Sequence, residues 1–343
     1  MLAPVLPEIG QRTGTGPGVA GLLVASFGLG QLVGYPIAGI LGQRRGASWV
    51  LRVSLVLLLV GDAAFVAGSG LAAWFPARAV QGVGAAGLWI GVSFAILELW
   101  PDQAYQRVSG ALAAYSAGAI AGPAMGAVHG IRAPFVLHAV VTLVAFVPVL
   151  ALGAAETRAR IGADRSVLRT RAFALSAAGI VLIALTIGTL DGPLPLHFAD
   201  RLDQAQIAGL YVLTSVVVAG GAIWAGKLKP VSALVAGAIL IPIGVAVVGA
   251  TDAVSAWIPS LAVAGVGFGL GEVGALGILL AAVPRERIVT AWVTSAQLWA
   301  AGYLVGPALA GLFAAAFGYA VLGAVPLVGS LLVAYTLRAR VTA

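Results

Sequence analysis

Polar positions in this chain are sparse and gathered into short clusters. Between them run uninterrupted apolar stretches of twenty residues or more. A helix crossing the hydrocarbon of a bilayer needs about 20 such residues. By that measure eleven stretches are predicted as spanning helices: about 18–41, 49–69, 72–97, 106–129, 133–154, 171–190, 205–226, 231–250, 256–283, 290–316 and 318–337. The opening "MLAPVLPEIG" has the look of the far end of a further helix, just before it reaches water.

Composition sharpens this picture. Hydrophobic residues make up 61% of the 343 and charged residues 9%, against roughly a quarter charged in a soluble domain. The solvent implied is lipid. Pro4 and Pro7 interrupt the first apolar run and no basic segment precedes it, so it does not read as a signal peptide. The chain has no Cys, which leaves no basis for a disulfide or a thiolate metal site.

The net charge of +7 would suggest nucleic acid if it formed one patch. Its distribution says otherwise. With the loop after residue 41 taken as cytoplasmic, 15 of the 19 Lys and Arg residues fall on that side. Arg12, Arg132 and Arg201 fall on the other, and Arg78 lies inside a helix. Basic residues concentrate on the cytoplasmic side of membrane proteins, so the charge is a topology signal and no nucleic-acid partner is called for. The longest such connection, "ETRARIGADRSVLRTR" (156–171), carries five arginines, the last of them Arg171 where the next helix starts. It divides the chain into a first bundle (1–154), a basic linker (155–170) and a second bundle (171–343), with the linker and C-terminus cytoplasmic.

The two bundles repeat one another. "AGLLV" at Ala20 matches "AGLYV" at Ala208; "GVG" at Gly82 matches "GVG" at Gly265. Pro101 matches Pro284, and "GAIAGP" at Gly118 matches "GYLVGP" at Gly302, all at offsets of 183 to 188. Repeats of this kind are characteristic of transporters. The same register pairs Pro4 with Pro193. It sets the expected start of the first helix about 18 residues before Met1, so that helix is expected to be mostly missing. A start assigned too far downstream is preferred over a natural truncation. A helix beginning in mid-bilayer would place an ammonium in hydrocarbon, at a cost of at least about 2.5–3.5 kcal/mol.

Three motifs carry a family resemblance. "GILGQRRGASWVL" (39–51) is similar to the G-x-L-a-D-r-x-G-r-k loop of the major facilitator superfamily through Gly39, Leu41, Arg44 and Gly46. It departs at Gln43, where the family has Asp, and at Ala47 and Ser48, where basic residues are usual. "RAVQGVGAA" (78–86) resembles R-x-x-Q-G-x-g-a-a through Arg78 and Gln81. "GAIAGPAMGA" (118–127) resembles the antiporter signature G-x-x-x-G-P-x-x-G-G through Gly118, Gly122, Pro123 and Gly126, with Ala127 in place of the last Gly. The resemblance spans essentially the whole chain and points to the twelve-helix drug:proton antiporter branch. It implies an all-α membrane fold of two pseudo-symmetric six-helix bundles, here eleven full helices and a stub. It further implies that Arg78 lies on a proton-coupling route and that the loop at Gly39–Gly46 gates the cytoplasmic side.

A few charges fall inside predicted spans, where ionisable side chains are rare and functional. Asp62 and Arg78 stand eight residues either side of a turn at Gly70, hence at similar depth. They are expected either to form a buried ion pair or to leave Asp62 protonated or reaching outward. Glu272 sits near the middle of the 256–283 helix, with Phe268 on its face. It is expected to serve as a proton or cation site, the alternative being a structural acid bonded to a neighbouring helix. Trp89, Phe268, Tyr115, Trp299 and Tyr303 are candidate stacking surfaces for a flat substrate, although most membrane aromatics simply pack. Gln31 and Gln297 are candidate polar lining. His129, His138 and His197 read as boundary residues in no ligand spacing.

By resemblance, the chain is a proton-coupled exporter of small lipophilic molecules working by alternating access. Its expected partners are a small-molecule substrate, protons and the bilayer of the cell membrane, and it is expected to act as a monomer without a cofactor. Two other readings remain: uptake of a sugar or metabolite, and a transport-inactive family member. Neither H-E-x-x-H nor G-x-S-x-G occurs, so an enzyme is not expected.

Overall fold

The computed structural model describes residues 2–100, 104–152, 166–284 and 287–338. Among them every regular element is helical. The helices are α1 (Leu6–Thr13), α2 (Pro17–Arg45), α3 (Ala47–Ala67), α4 (Leu71–Leu99), α5 (Ala104–Gly126), α6 (Ala133–Ala151) and α7 (Arg171–Asp191). After them come α8 (Leu194–Phe198), α9 (Gln204–Ala225), α10 (Pro230–Ala250), α11 (Val254–Ala282), α12 (Ile288–Phe317) and α13 (Ala324–Arg338). Among the described residues ten segments are long and apolar enough to cross a membrane; α5, with 23 residues, is the long described helix outside that set. Eleven long helices thus stand where eleven were expected, with ends shifted by only a few residues. Most of the 155–170 linker lies outside the described residues. Its last part, Ser166–Arg169, is a single 3-10 turn leading to Thr170, whose hydroxyl accepts the Phe173 N–H and caps α7.

In lipid every backbone polar group must be satisfied within the chain, which leaves the helix as the economical solution for each span. Glycine decides how closely these helices approach. At Gly82 on α4 an added Cβ would lie 2.1 Å from the Phe27 carbonyl of α2, and at Gly28 it would lie 2.6 Å from the Leu304 nitrogen of α12. Helices at this separation gain backbone-to-backbone van der Waals contact, the main source of association where no hydrophobic effect acts between them.

The halves are built alike. The α3 and α4 pair and the α10 and α11 pair pack in the same way, and α2 lies on α4 as α9 lies on α11. Boundaries agree as well: 47–67 and 71–99 become 230–250 and 254–282 at a constant offset of 183. Two pseudo-equivalent seams join the halves, α2 along α12 and α5 along α9. The opening residues do not hang free. Val5 and Leu6 are buried, with the turn Ala3–Val5 against α5 and α9 and α1 against α8. In the second half α7 packs on α11, α12 and α13. No described helix holds the matching place beside α4, α5 and α6, and α6 exposes Val136, Val140, Val144 and Val147.

Arg52 and Arg171 are held at the same end of the bundle. Arg52 of α3 donates to the carbonyls of Leu150 and Leu152 beyond α6, and Arg171 of α7 donates to those of Thr336 and Leu337 at the end of α13. That end of the bundle is called the arginine-rich face below.

Candidate transport site

Arg78 begins a chain of buried hydrogen bonds across three helices. Its Nη1 donates to Gln81 Oε1 at 2.7 Å, and Gln81 Nε2 donates to Asp62 Oδ1 of α3 at 2.6 Å. Asp62 Oδ2 lies 2.7 Å from His138 Nδ1 of α6. Chemistry fixes the polarity of this row. A guanidinium only donates, so Gln81 must turn its oxygen toward Arg78 and its NH2 toward Asp62, whose Oδ1 must accept. Gly61 makes room for the relay: a Cβ there would stand 2.4 Å from Gln81 Cγ. Asp62 is wholly buried, with Gln81 and Arg78 nearly so; Asp62 and Arg78 therefore communicate through Gln81. One helical turn toward the opposite face, Phe135, Phe65 and Trp74 of the same three helices stack on one another. That stack forms a lid on one side of the row, and in such buried surroundings each hydrogen bond is electrostatically stronger.

The other side of Arg78 faces the second half. Its guanidinium rests over the Phe27 ring of α2 at 4.5 Å, and its Nε is buried without a partner. Asp191, at the end of α7, and Tyr303 of α12 both lie within its electrostatic reach. Tyr303 donates to Asp191 Oδ2 at 2.8 Å. A cation of one half thus shares an electrostatic neighbourhood with a hydrogen-bonded carboxylate of the other. Sequence reasoning passed over Asp191 as a helix end, and its signal was a lone acid closing an otherwise apolar span. His138 and His197 are likewise more than boundary residues. His197 is buried against Tyr319 and Trp257, with Nε2 near the carbonyls of Val248 and Thr251.

Nearer the arginine-rich face is an aromatic group. Trp89 of α4 stacks on Trp292 of α12 at 5.6 Å and meets Tyr115 of α5 edge-on at 6.0 Å. Tyr115 is 48% exposed, and the Trp292 Nε1 donor is buried without a partner. Glu272 of α11 is half-buried and acts electrostatically on Tyr115. Phe268 stands apart, packed with Leu182, Ile183 and Leu234 of α7 and α10. Gln31 is buried on α2 with an unpartnered Oε1, and Gln297 is half-buried on α12.

The remaining motif residues take supporting places. Gly46 adopts φ 83°, a left-handed conformation suited to glycine, and turns the chain from α2 into α3; Gly39 lies within α2. Arg44 is exposed. Beside this loop Glu98, past the membrane-spanning part of α4, accepts the Ala47 N–H at the start of α3. Burial moves its carboxyl above the ordinary value, and the Ala47 bond opposes that shift. Gly118, Gly122, Pro123 and Gly126 run along α5 beside the seam with α9. There Ser215 donates to the Ala119 carbonyl, and Gln204 donates to those of Gly126 and Val128.

A family model described as Major Facilitator Superfamily matches residues 1–301. The chain belongs to the major facilitator superfamily. Among its relatives, the quinolone resistance protein NorA of Staphylococcus aureus is 28% identical over 151 residues, 43% of this chain and 39% of that protein. Multidrug resistance protein 2 of Bacillus subtilis is 28% identical over 151 residues, 43% of this chain and 38% of its own. Each match therefore spans about two fifths of the relative's length. In three dimensions the chain is similar to a crystal structure of a D-xylose-proton symporter, with TM-score 0.74 and 14% identity over 97% of this chain and 92% of that one. At that identity the likeness concerns the fold alone. Members of this family are transporters, and this one is a multi-pass membrane protein.

Proposed function

We propose that the protein is a proton-coupled exporter of small, flat, lipophilic molecules, with the arginine-rich face in the cytoplasm. One observation carries the reading. Arg78 and Asp191 lie within electrostatic reach of each other from opposite halves, each tied into its own half by hydrogen bonds. While Asp191 is ionised the attraction holds the halves together at this level of the membrane. A proton arriving on Asp191 removes the negative charge, Tyr303 loses its charged acceptor, and the halves are free to part. Charges interact more strongly in a low-dielectric site than in water, and a change in that attraction between the halves biases a rocking motion between two states.

The aromatic group of Trp89, Trp292 and Tyr115 supplies the substrate side. Stacked rings take flat molecules, and a nearby carboxylate, Glu272, favours cationic ones. The names of the two bacterial relatives point the same way.

Reconstitution tests the reading. Proteoliposomes with an imposed proton gradient are offered ethidium, a fluoroquinolone and D-xylose. Gradient-dependent movement of the first two, lost in Asp191→Asn, is expected. Movement of xylose alone would replace export by sugar transport, and movement of none of the three would favour the inactive alternative.

A further inference from the structure

The two halves share a frame that isolates what the polar row is for. "AWFPARAVQGVG" (73–84) on α4 and "AWIPSLAVAGVG" (256–267) on α11 are identical at eight of twelve positions. Two of the four differences are Leu261 for Arg78 and Ala264 for Gln81. The same offset puts Val245 opposite Asp62. Gly130 and Gly318, both at positive φ, set α6 on α13 and bring Pro326 opposite His138. The correspondence holds in space: Gly244 closes on Ala264 as Gly61 closes on Gln81. Val245, Leu261 and Ala264 lie in one apolar cluster, and Pro326 is buried. The frame therefore packs with hydrocarbon at all four places. Replacing a buried ionic group by apolar residues is often neutral or stabilising, so packing does not require the polar row of the first half.

We propose that His138 is a positioning residue, whose Nδ1–H holds Asp62 in the orientation that anchors Gln81 and, through it, Arg78. Asp62 has two carboxylate oxygens and two donors, one of them His138. Without His138, Oδ2 is an uncompensated acceptor beneath the aromatic lid, and the carboxylate rotates to share Oδ1. Gln81 then loses its anchor, its oxygen drifts from Nη1, and Arg78 no longer meets the second half at a fixed place. His138 suits this end of the row because its side chain is 30% exposed while Asp62 is at 0%.

This role presupposes the proton-coupled reading, so the experiment keeps the two apart. Wild type, His138→Asn, His138→Leu, Asp62→Asn and the His138→Leu/Asp62→Asn double variant are compared in proteoliposomes moving ethidium under an imposed proton gradient. Asn retains a donor near the place of Nδ1, whereas Leu does not. His138→Leu is expected to lower kcat about tenfold with little change in KM, as befits loss of one hydrogen bond to a charged group. His138→Asn is expected to keep most of the rate, and the double variant to fall no lower than Asp62→Asn alone. Unchanged kcat in His138→Leu, equal loss in Leu and Asn, or additive losses in the double variant would overturn the role. Histidine 15N spectra of the wild-type chain read the contact without transport, with the His138 signal assigned by its disappearance in His138→Asn. A ring protonated at Nδ1 is expected; a neutral ring carrying its proton on Nε2 would overturn the proposal even if ethidium were carried normally. A wild-type chain that moves no ethidium yet shows the Nδ1–H signal would defeat proton-coupled export, and Arg78 would then be shown to have nothing to position for.

Discussion

Exchange the polar row for apolar side chains, its second-half counterparts in Asp62→Val, Arg78→Leu and Gln81→Ala with His138→Leu added, and compare the product with Asp62→Val alone. The single change removes the acceptor of two hydrogen bonds, strands the Gln81 amide and leaves the buried Arg78 charge without its relay to a carboxylate. Breaking a buried ionic arrangement from one side costs about 3–5 kcal/mol. The fourfold change removes every polar atom at once. Its gain from avoided desolvation, about 1–4 kcal/mol, is opposed by the cavity left when Leu and Ala replace larger side chains, at about 24 cal/mol per Å3. A shortfall on the order of 100 Å3 nearly cancels that gain. The fourfold variant should thus melt within a few degrees of wild type, and the single variant well below it. Detergent-solubilised protein followed by intrinsic fluorescence during heating reads this directly, and transport is expected to be absent in both. A fourfold variant less stable than Asp62→Val would refute the reasoning and make the row a structural element.

Other outcomes follow from the same geometry. Tyr303→Phe removes a hydrogen bond to a charged group, worth about 1.5–3 kcal/mol. It should cut proton-driven flux and lower the melting temperature by a few degrees, and an unaltered flux would count against Asp191 as the proton site. Gly82→Leu drives a side chain into the Phe27 carbonyl, 2.1 Å from the Cβ position; the α2 and α4 packing should fail, read as loss of a monodisperse peak in size-exclusion chromatography. Glu98 binds its proton more tightly folded than unfolded. Its contribution to stability is therefore fully present below its ordinary pKa of 4.5 and is lost as pH rises through the higher folded value. Glu98→Gln should flatten that part of the melting profile, and an identical slope in both proteins would exclude Glu98 as its source.

The sequence alone determined where the chain crosses the membrane, because lipid imposes a length of apolar residues that can be counted and charge fixes which ends share a face. Its repeat also announced two equivalent bundles. Arg78, Gln81, Asp62 and Glu272 could be named as candidates, since a polar atom in hydrocarbon is conspicuous wherever it falls. Tertiary structure decided which of these side chains meet. Helix rotation and the approach permitted by Gly61 and Gly82 bring Gln81 between Arg78 and Asp62, swing His138 onto Asp62 and join Tyr303 to Asp191, while Phe268 goes into the core. Along one helix a side chain's depth can be counted, but its facing depends on the neighbour against which it packs. Hydrogen bonds between helices are therefore a property of the assembled bundle.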